Sequence, residues 1–249
     1  MRVVYLTTND PLYLPAFFAR VLDSNGLATE AVYVAPPLYK GQSSAAAARR
    51  YLRTFGWRDT VALARRTAGA AVRRRSIAEV CRARGVDCRP VPDVNDPGFL
   101  EALRALDPDV VVSVSCPQVF ERGLIDLPRQ GCLNVHGALL PAYRGVMPSF
   151  WMLANGETRA GVSVFFVDER VDGGDLCGQR AFDIAPEETL DHFLRRSKAI
   201  AADLVADVLA SIESGTVTRT ALNLADGSYY SWPTPEAVER FRARGRRLW

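Results

Sequence analysis

Short apolar runs alternate with stretches of helical spacing along the first half of the chain. Val3-Val4-Tyr5-Leu6 is a strand-like run that stops at Thr7-Thr8-Asn9-Asp10-Pro11, and Leu14 to Leu22 then repeats apolar residues at helical intervals. Ala31 to Val34, closed by Pro36-Pro37, predicts a second strand. Residues 43–80 are rich in Ala and Arg, contain no Pro and few Gly, and predict helices covering a sheet. Within them, Arg73-Arg74-Arg75 reads as a solvated face. Ser76 to Gly85 predicts a helix stopped by its glycine, Cys88 to Val91 a strand and Pro97 to Leu106 a helix. The stretch from Asp109 to Val114 has the nearly continuous apolar character of a strand buried on both faces. Strand and helix in alternation imply an α/β domain with a mostly parallel sheet.

The second half is more punctuated. Cys132 to Val135 predicts a strand leading into a Gly- and Pro-rich loop, Met147 to Ala154 a helix, and Gly161 to Val167 the next strand. Asp172-Gly173-Gly174-Asp175 is a tight turn whose glycines permit positive φ. Thr189 to Ile212 has a long amphipathic period behind the acidic start Pro186-Glu187-Glu188. From Gly215 the chain alternates Thr with apolar residues, turns at Asp226-Gly227, passes through Tyr229-Tyr230-Ser231-Trp232-Pro233 and ends in a basic helix. This tail is too short for a second full domain, so the expected organisation is one domain over residues 1–214 with an extension, 215–249, packed on it.

Composition narrows the class. The 249 residues are 48% hydrophobic and 24% charged, the usage of an ordinary globular protein. Five cysteines, Cys81, Cys88, Cys116, Cys132 and Cys177, are an odd number without a C-x-x-C pair, which disfavours a disulfide framework and a zinc site. No apolar run approaches the ~18 residues of a membrane span and no leader pattern opens the chain, so a cytoplasmic protein is expected. The net charge is +3, and only Lys40 and Lys198 among 31 basic residues are not arginine. With 28 acidic residues interspersed, this bias reads as coding composition rather than a nucleic-acid surface. Neither G-x-G-x-x-G nor G-x-x-x-x-G-K-[ST] is present, which excludes those nucleotide-binding motifs.

Two histidines occur. His192 lies on the long helix beside Asp191, a surface or packing position. His136 follows an apolar strand, two residues after Asn134, and spacing of two puts both side chains on one strand face. An amide and an imidazole at the carboxyl end of a parallel strand form either an oxyanion-stabilising pair or a hydrogen-bonded structural one. A carboxylate from the following turn would favour the imidazolium form. Asp168, Glu169, Asp172 and Asp175 all qualify, and spacing does not choose among them.

Asn134-Val135-His136-Gly137-Ala138-Leu139-Leu140-Pro141-Ala142-Tyr143-Arg144-Gly145-Val146-Met147-Pro148, followed by Gly161-Val162-Ser163-Val164 and Val171-Asp172-Gly173-Gly174-Asp175, resembles the core of the folate-dependent formyltransferases. That family includes glycinamide ribonucleotide, methionyl-tRNA and amino-sugar formyltransferases. The likeness covers about residues 80–185 well and the N-terminal part loosely. It implies a Rossmann-like α/β fold with a mostly parallel sheet flanked by helices and a short C-terminal hairpin and helix. It places catalytic roles on Asn134, His136 and Asp172, and folate contacts on Pro117, Gln118, Val119 and Phe120 and on Val167, Asp168, Glu169 and Val171. Ala138 stands where the family usually has Ser, which removes one loop hydrogen bond and leaves the triad intact.

The resemblance implies formyl transfer from 10-formyltetrahydrofolate to a primary amine, with no metal. The expected acceptor is a small molecule, an amino-sugar nucleotide or a specialised-metabolite amine, with Tyr143, Arg144 and Trp151 as candidate contacts and Tyr229, Tyr230 and Trp232 available for stacking. The same triad would serve hydrolysis of the formyl-folate, and an inactive scaffold binding nucleic acid is a third reading. Nucleic acid is not an expected partner, because the charge is dispersed and the tail falls short of the C-terminal barrel of methionyl-tRNA formyltransferases, and neither is a membrane, because no apolar run is long enough. Oligomeric state, a homodimer included, is left open.

Overall fold

A computed structural model describes residues 1–24, 28–37, 43–73 and 75–249, so Lys40 and the central Arg74 of the arginine run lie outside the described residues. In chain order the strands are β1 (Arg2–Thr8), β2 (Ala28–Ala35), β3 (Asp87–Pro90), β4 (Val110–Val114), β5 (Gly131–His136), β6 (Arg144–Gly145), β7 (Arg159–Phe166), β8 (Leu176–Asp183) and β9 (Tyr229–Tyr230). The helices are α1 (Leu14–Leu22), α2 (Ser44–Phe55), α3 (Trp57–Val72), α4 (Ile77–Arg82), α5 (Pro97–Ala105), α6 (Arg122–Ile125), α7 (Pro148–Asn155), α8 (Leu190–Glu213) and α9 (Pro235–Ala243).

Seven strands form one sheet in the order β3-β2-β1-β4-β5-β7-β8. The first five are mutually parallel, whereas β7 and β8 run antiparallel. Alternation along β1 divides the core: Val3 and Tyr5 face α1, α4 and α8, while Val4 and Leu6 face α5 and α6. All five residues of β4 are buried, as its apolar run predicts. Because β2 and β4 flank β1 on opposite sides, the winding direction reverses between β1 and β4, and the crevice beyond their carboxyl ends is where open α/β sheets take ligands.

Three features differ from the sequence expectation. The helices within residues 43–73 do not layer over the sheet: α2 packs chiefly on α3 and α9, and only Thr54, Phe55 and Ala70 of the pair are buried. Ala and Arg dominate both helices, and their few large apolar side chains leave too little apolar surface to cover a sheet. The tail forms no hairpin of its own, because β9 pairs in parallel with β6 and the 228–230 backbone bonds Arg144 and Val146. Finally, β8 carries Gly, Gln and Arg among its apolar residues and shows no clear strand pattern, yet it closes the sheet edge against β7.

The turn after β7 depends on close backbone approach. A Cβ built on Gly174 would lie 1.8 Å from the Phe166 carbonyl oxygen. Gly174→Ala therefore forces the turn off the strand, and is expected to lower stability by at least the ~1–3 kcal/mol typical of overpacking. Urea unfolding checks this; an unchanged midpoint would refute it.

Candidate functional site

Asn134 and His136 leave the same face of β5 near its carboxyl end, and the Asp172 carboxylate meets both. His136 Nδ1 lies 3.6 Å from Asp172 Oδ2, an ion-pair distance too long for a hydrogen bond, and Asn134 Nδ2 lies 3.4 Å from Asp172 Oδ1. Gly145 N–H donates to Asp172 Oδ2 at 2.8 Å. Asp172 reaches this position from a left-handed backbone, φ 49°, which Asp tolerates better than most residues. The other imidazole nitrogen, His136 Nε2, is 2.8 Å from the Tyr143 carbonyl. A carbonyl only accepts, so Nε2 carries a hydrogen. Both ring nitrogens thus face acceptors.

The ambiguity among four carboxylates is resolved by geometry. Asp168 is held by Arg170, Glu169 pairs with Arg122 at 2.8 Å, and of the four only Asp172 lies against His136. His192 is on the exposed side of α8, 3.2 Å from Glu188.

These groups open onto a cavity of about 580 Å³ at the carboxyl edge of β1, β4 and β5. The loop Pro117 to Phe120 lines one part of it and the segment Val167 to Val171 another, so both candidate folate segments and the three candidate catalytic residues share one space. Within the first loop the roles divide. Gln118 accepts from Val94 N–H and donates to the Pro92 carbonyl, both at 2.8 Å, and Phe120 is buried in the core, so these two anchor the loop. Val119 remains 73% exposed and Val171 50%, apolar surface left uncovered at the cavity.

Tyr143, Arg144 and Trp151 do not line this cavity. The Tyr143 ring stacks on Tyr230, and its hydroxyl meets Glu157 and Asn155. Trp151 is buried with its indole N–H donating to the Ser231 carbonyl, while Arg144 Nε is buried without a partner. Of the aromatic residues in this region, Tyr229 does line the cavity. A more polar wall went unnoticed in the sequence. Asp10 and Ser115, just beyond β1 and β4, line the cavity with Lys198 of α8, whose Nζ donates to Ser115 Oγ at 2.8 Å. Lys198 is one of two lysines in an arginine-dominated chain, a signal that was available. Burial holds the Asp10 carboxyl above its usual range, against the Leu12 and Tyr13 N–H groups, and the same desolvation lowers the Lys198 amine despite the opposing field of Asp10. Among the described residues no cluster of metal-ligating side chains occurs and no helix is long and apolar enough to cross a membrane.

A doubly wound α/β sheet with an amide, an imidazole and a carboxylate converging in a cavity near its switch point defines a Rossmann-like protein with a cleft at the carboxyl ends of its strands. The formyl transferase family model matches residues 1–209, and the chain belongs to that family. A methionyl-tRNA formyltransferase from Trichlorobacter lovleyi is 30% identical over 183 residues, 70% of this chain and 58% of the relative. The matched segments span only 40–58% of the length of such curated relatives. Glycinamide ribonucleotide transformylase 1 from Symbiobacterium toebii superposes with a TM-score of 0.63 at 17% identity, covering 90% of this chain and 94% of that one. An N-formyltransferase from Helicobacter canadensis, solved in complex with folinic acid and dTDP-3-aminofucose, gives 0.59 at 15%, covering 93% and 70%. These structural likenesses establish the fold.

The chain has few enough lysines for direct titration. After reductive ¹³C-methylation, with resonances assigned by Lys198→Arg, the Lys198 amine is expected to titrate below the ordinary lysine value because its charged form is desolvated. A midpoint at or above that value would contradict the desolvation of the amine.

Proposed function

We propose that the protein is a folate-dependent N-formyltransferase that moves a formyl group from 10-formyltetrahydrofolate to the primary amine of a small molecule. The observation that carries this reading is the convergence of Asn134, His136 and Asp172 in a cavity bordered by the 117–120 and 167–171 segments. Val119 and Val171 offer apolar surface suited to a flat pterin ring. When bound, the donor supplies an electrophilic formyl carbon whose bond to the folate nitrogen breaks as the bond to the amine forms. His136 and the Asn134 amide then stabilise the negative charge that develops on the formyl oxygen. Asp172 keeps the imidazole oriented, and takes the proton that the amine loses, for return to the departing folate nitrogen.

The acceptor is read as a small amine, an amino-sugar nucleotide foremost, because a cavity of this size suits a ligand of that class. A neighbour of the same fold was solved with dTDP-3-aminofucose, in keeping with this choice. Incubation with 10-formyltetrahydrofolate and a panel of amino-sugar nucleotides, amine metabolites and methionyl-tRNA, read by formyl mass gain, tests the assignment. A formylated small amine supports it. Formylation of methionyl-tRNA alone would overturn the small-molecule acceptor, and formate release without any acceptor would make the protein a hydrolase. Lack of 5-formyltetrahydrofolate binding in calorimetry would remove the folate reading altogether.

Donors that act on transition-state charge leave a distinct kinetic signature. His136→Ala and Asn134→Ala are each expected to lower kcat by ~10²–10³ while changing folate Kd little. Asp172→Asn keeps the shape, removes the charge and slows turnover as well. His192→Ala is expected to leave turnover nearly unchanged, since its ring lies out on the exposed side of α8. Should His192→Ala abolish turnover while His136→Ala retains it, the centre has been placed on the wrong histidine.

A further inference from the structure

A second concave site lies at the junction of α2 and the C-terminal segment. Its volume is about 370 Å³, and Arg49, Arg50, Arg53, Thr54, Trp232 and Pro235 are among its lining residues. Spacings of three and four put Arg53 on the same helix face as Arg50 and Arg49. Among the described residues none of the three pairs with a carboxylate, and no carboxylate lines the pocket. This is unlike the arginines elsewhere, many of which are matched: Arg20 with Asp203, Arg84 with Asp23, Arg195 with Asp191.

The imbalance is concentrated in this part of the chain. Residues 43–73 contain seven arginines against one acidic residue, Asp59, which is engaged by Arg242. The remaining sequence holds 24 basic and 27 acidic residues, so the positive net charge of the protein resides in this helical pair. Three like charges on one helix face repel one another, and an anion seated between them relieves that repulsion.

The pocket is also built rather than loose. The Trp232 indole N–H donates to Thr54 Oγ1 at 3.0 Å, fixing the ring, and the Arg50 guanidinium lies over that ring, 4.6 Å from its centroid. Held in this way, Arg50 presents its donor fork in a restricted set of directions, the property that makes arginine suited to bidentate phosphate contacts. Two packed core rings separate the pocket from the cavity that holds His136. Phe55 touches Trp232 on one side, centroids 6.2 Å apart, and Phe150 on the other at 5.8 Å, and Phe150 lines the cavity that holds His136. Tyr229, three residues before Trp232, lines that cavity as well.

We propose that this arginine pocket binds the diphosphate of a nucleotide-bearing small molecule. The diphosphate is held by Arg49, Arg50 and Arg53, at a site whose lining shares no residue with the cavity of His136. A concave pocket with a fixed aromatic wall suits a compact ligand, whereas a nucleic acid needs basic residues spread along an open face.

Calorimetric titration with UDP and with pyrophosphate at low salt tests the site, on the wild-type protein, on an Arg49→Gln/Arg53→Gln double variant and on Trp232→Phe. The same proteins are titrated with 5-formyltetrahydrofolate. The expected result is submillimolar binding of both diphosphates, weakened tenfold or more by the double variant and less by Trp232→Phe, with folate binding unaltered. The arginines are exposed, so their replacement leaves the fold intact, and the folate titration verifies this. Absence of diphosphate binding, or binding indifferent to the double variant, overturns the proposal. Binding of a short RNA duplex that needs Arg49 and Arg53, with none of UDP, overturns it in favour of nucleic acid. Diphosphate binding without folate binding supports the pocket and overturns the formyl-transfer reading alone.

Discussion

A carboxylate taken out of water must be met by donors or cations, and the Asp172 side chain, 11% exposed, is met by three elements at once. It holds the Gly145 N–H after the β5 loop, faces the imidazole at the end of β5 and touches the amide two residues earlier. The turn that carries Asp172 is in turn held by the approach of Gly174 to the Phe166 carbonyl. Strand β5, the loop containing β6 and the turn after β7 are thereby brought to one point. The left-handed backbone at Asp172 is tolerable because these contacts over-determine it.

Gly145 shows how closely site and tail are linked. Its φ is 96°, and a Cβ there would lie 2.2 Å from the Tyr230 carbonyl oxygen. The residue that bonds Asp172 thus also lets β9 approach β6. Through this pairing the 215–249 segment reaches the neighbourhood of the cavity, where Tyr229 becomes part of the wall. Aromatic packing of Tyr143, Trp151 and Tyr230 then fills the space behind.

Charge is distributed with comparable economy. The candidate cavity holds a desolvated lysine and a desolvated aspartate on one wall and the His136–Asp172 pair on another. The arginine surplus sits outside, on α2 and α3, helices that contribute little to the core. Removed from the duty of covering the sheet, this pair is free to carry an unbalanced charge that a core-facing helix would have to neutralise.

The parallel strands were legible because each is a local apolar run whose burial on two faces requires no knowledge of its neighbours: β1, β4 and β5 fall where Val3–Leu6, Asp109–Val114 and Cys132–Val135 predict them. The Asn134 and His136 pairing was legible for a similar reason, since a period of two dictates a shared face. Other features arise only between distant segments. Which of four turn carboxylates meets His136 depends on how β7 and its turn pack against β5, a contact between positions 36 residues apart. Lys198 is an ordinary position on an amphipathic helix until α8 crosses the carboxyl ends of β1 and β4 and its amine loses water. The edge strand β8, polar in sequence, is a strand because β7 offers it a ladder of unpaired backbone groups. Local patterning by itself determined the parallel strands and one face of the site; the remaining elements and partners were decided by tertiary packing, because ladder pairing, desolvation and charge pairing are properties of a neighbourhood that no single segment contains.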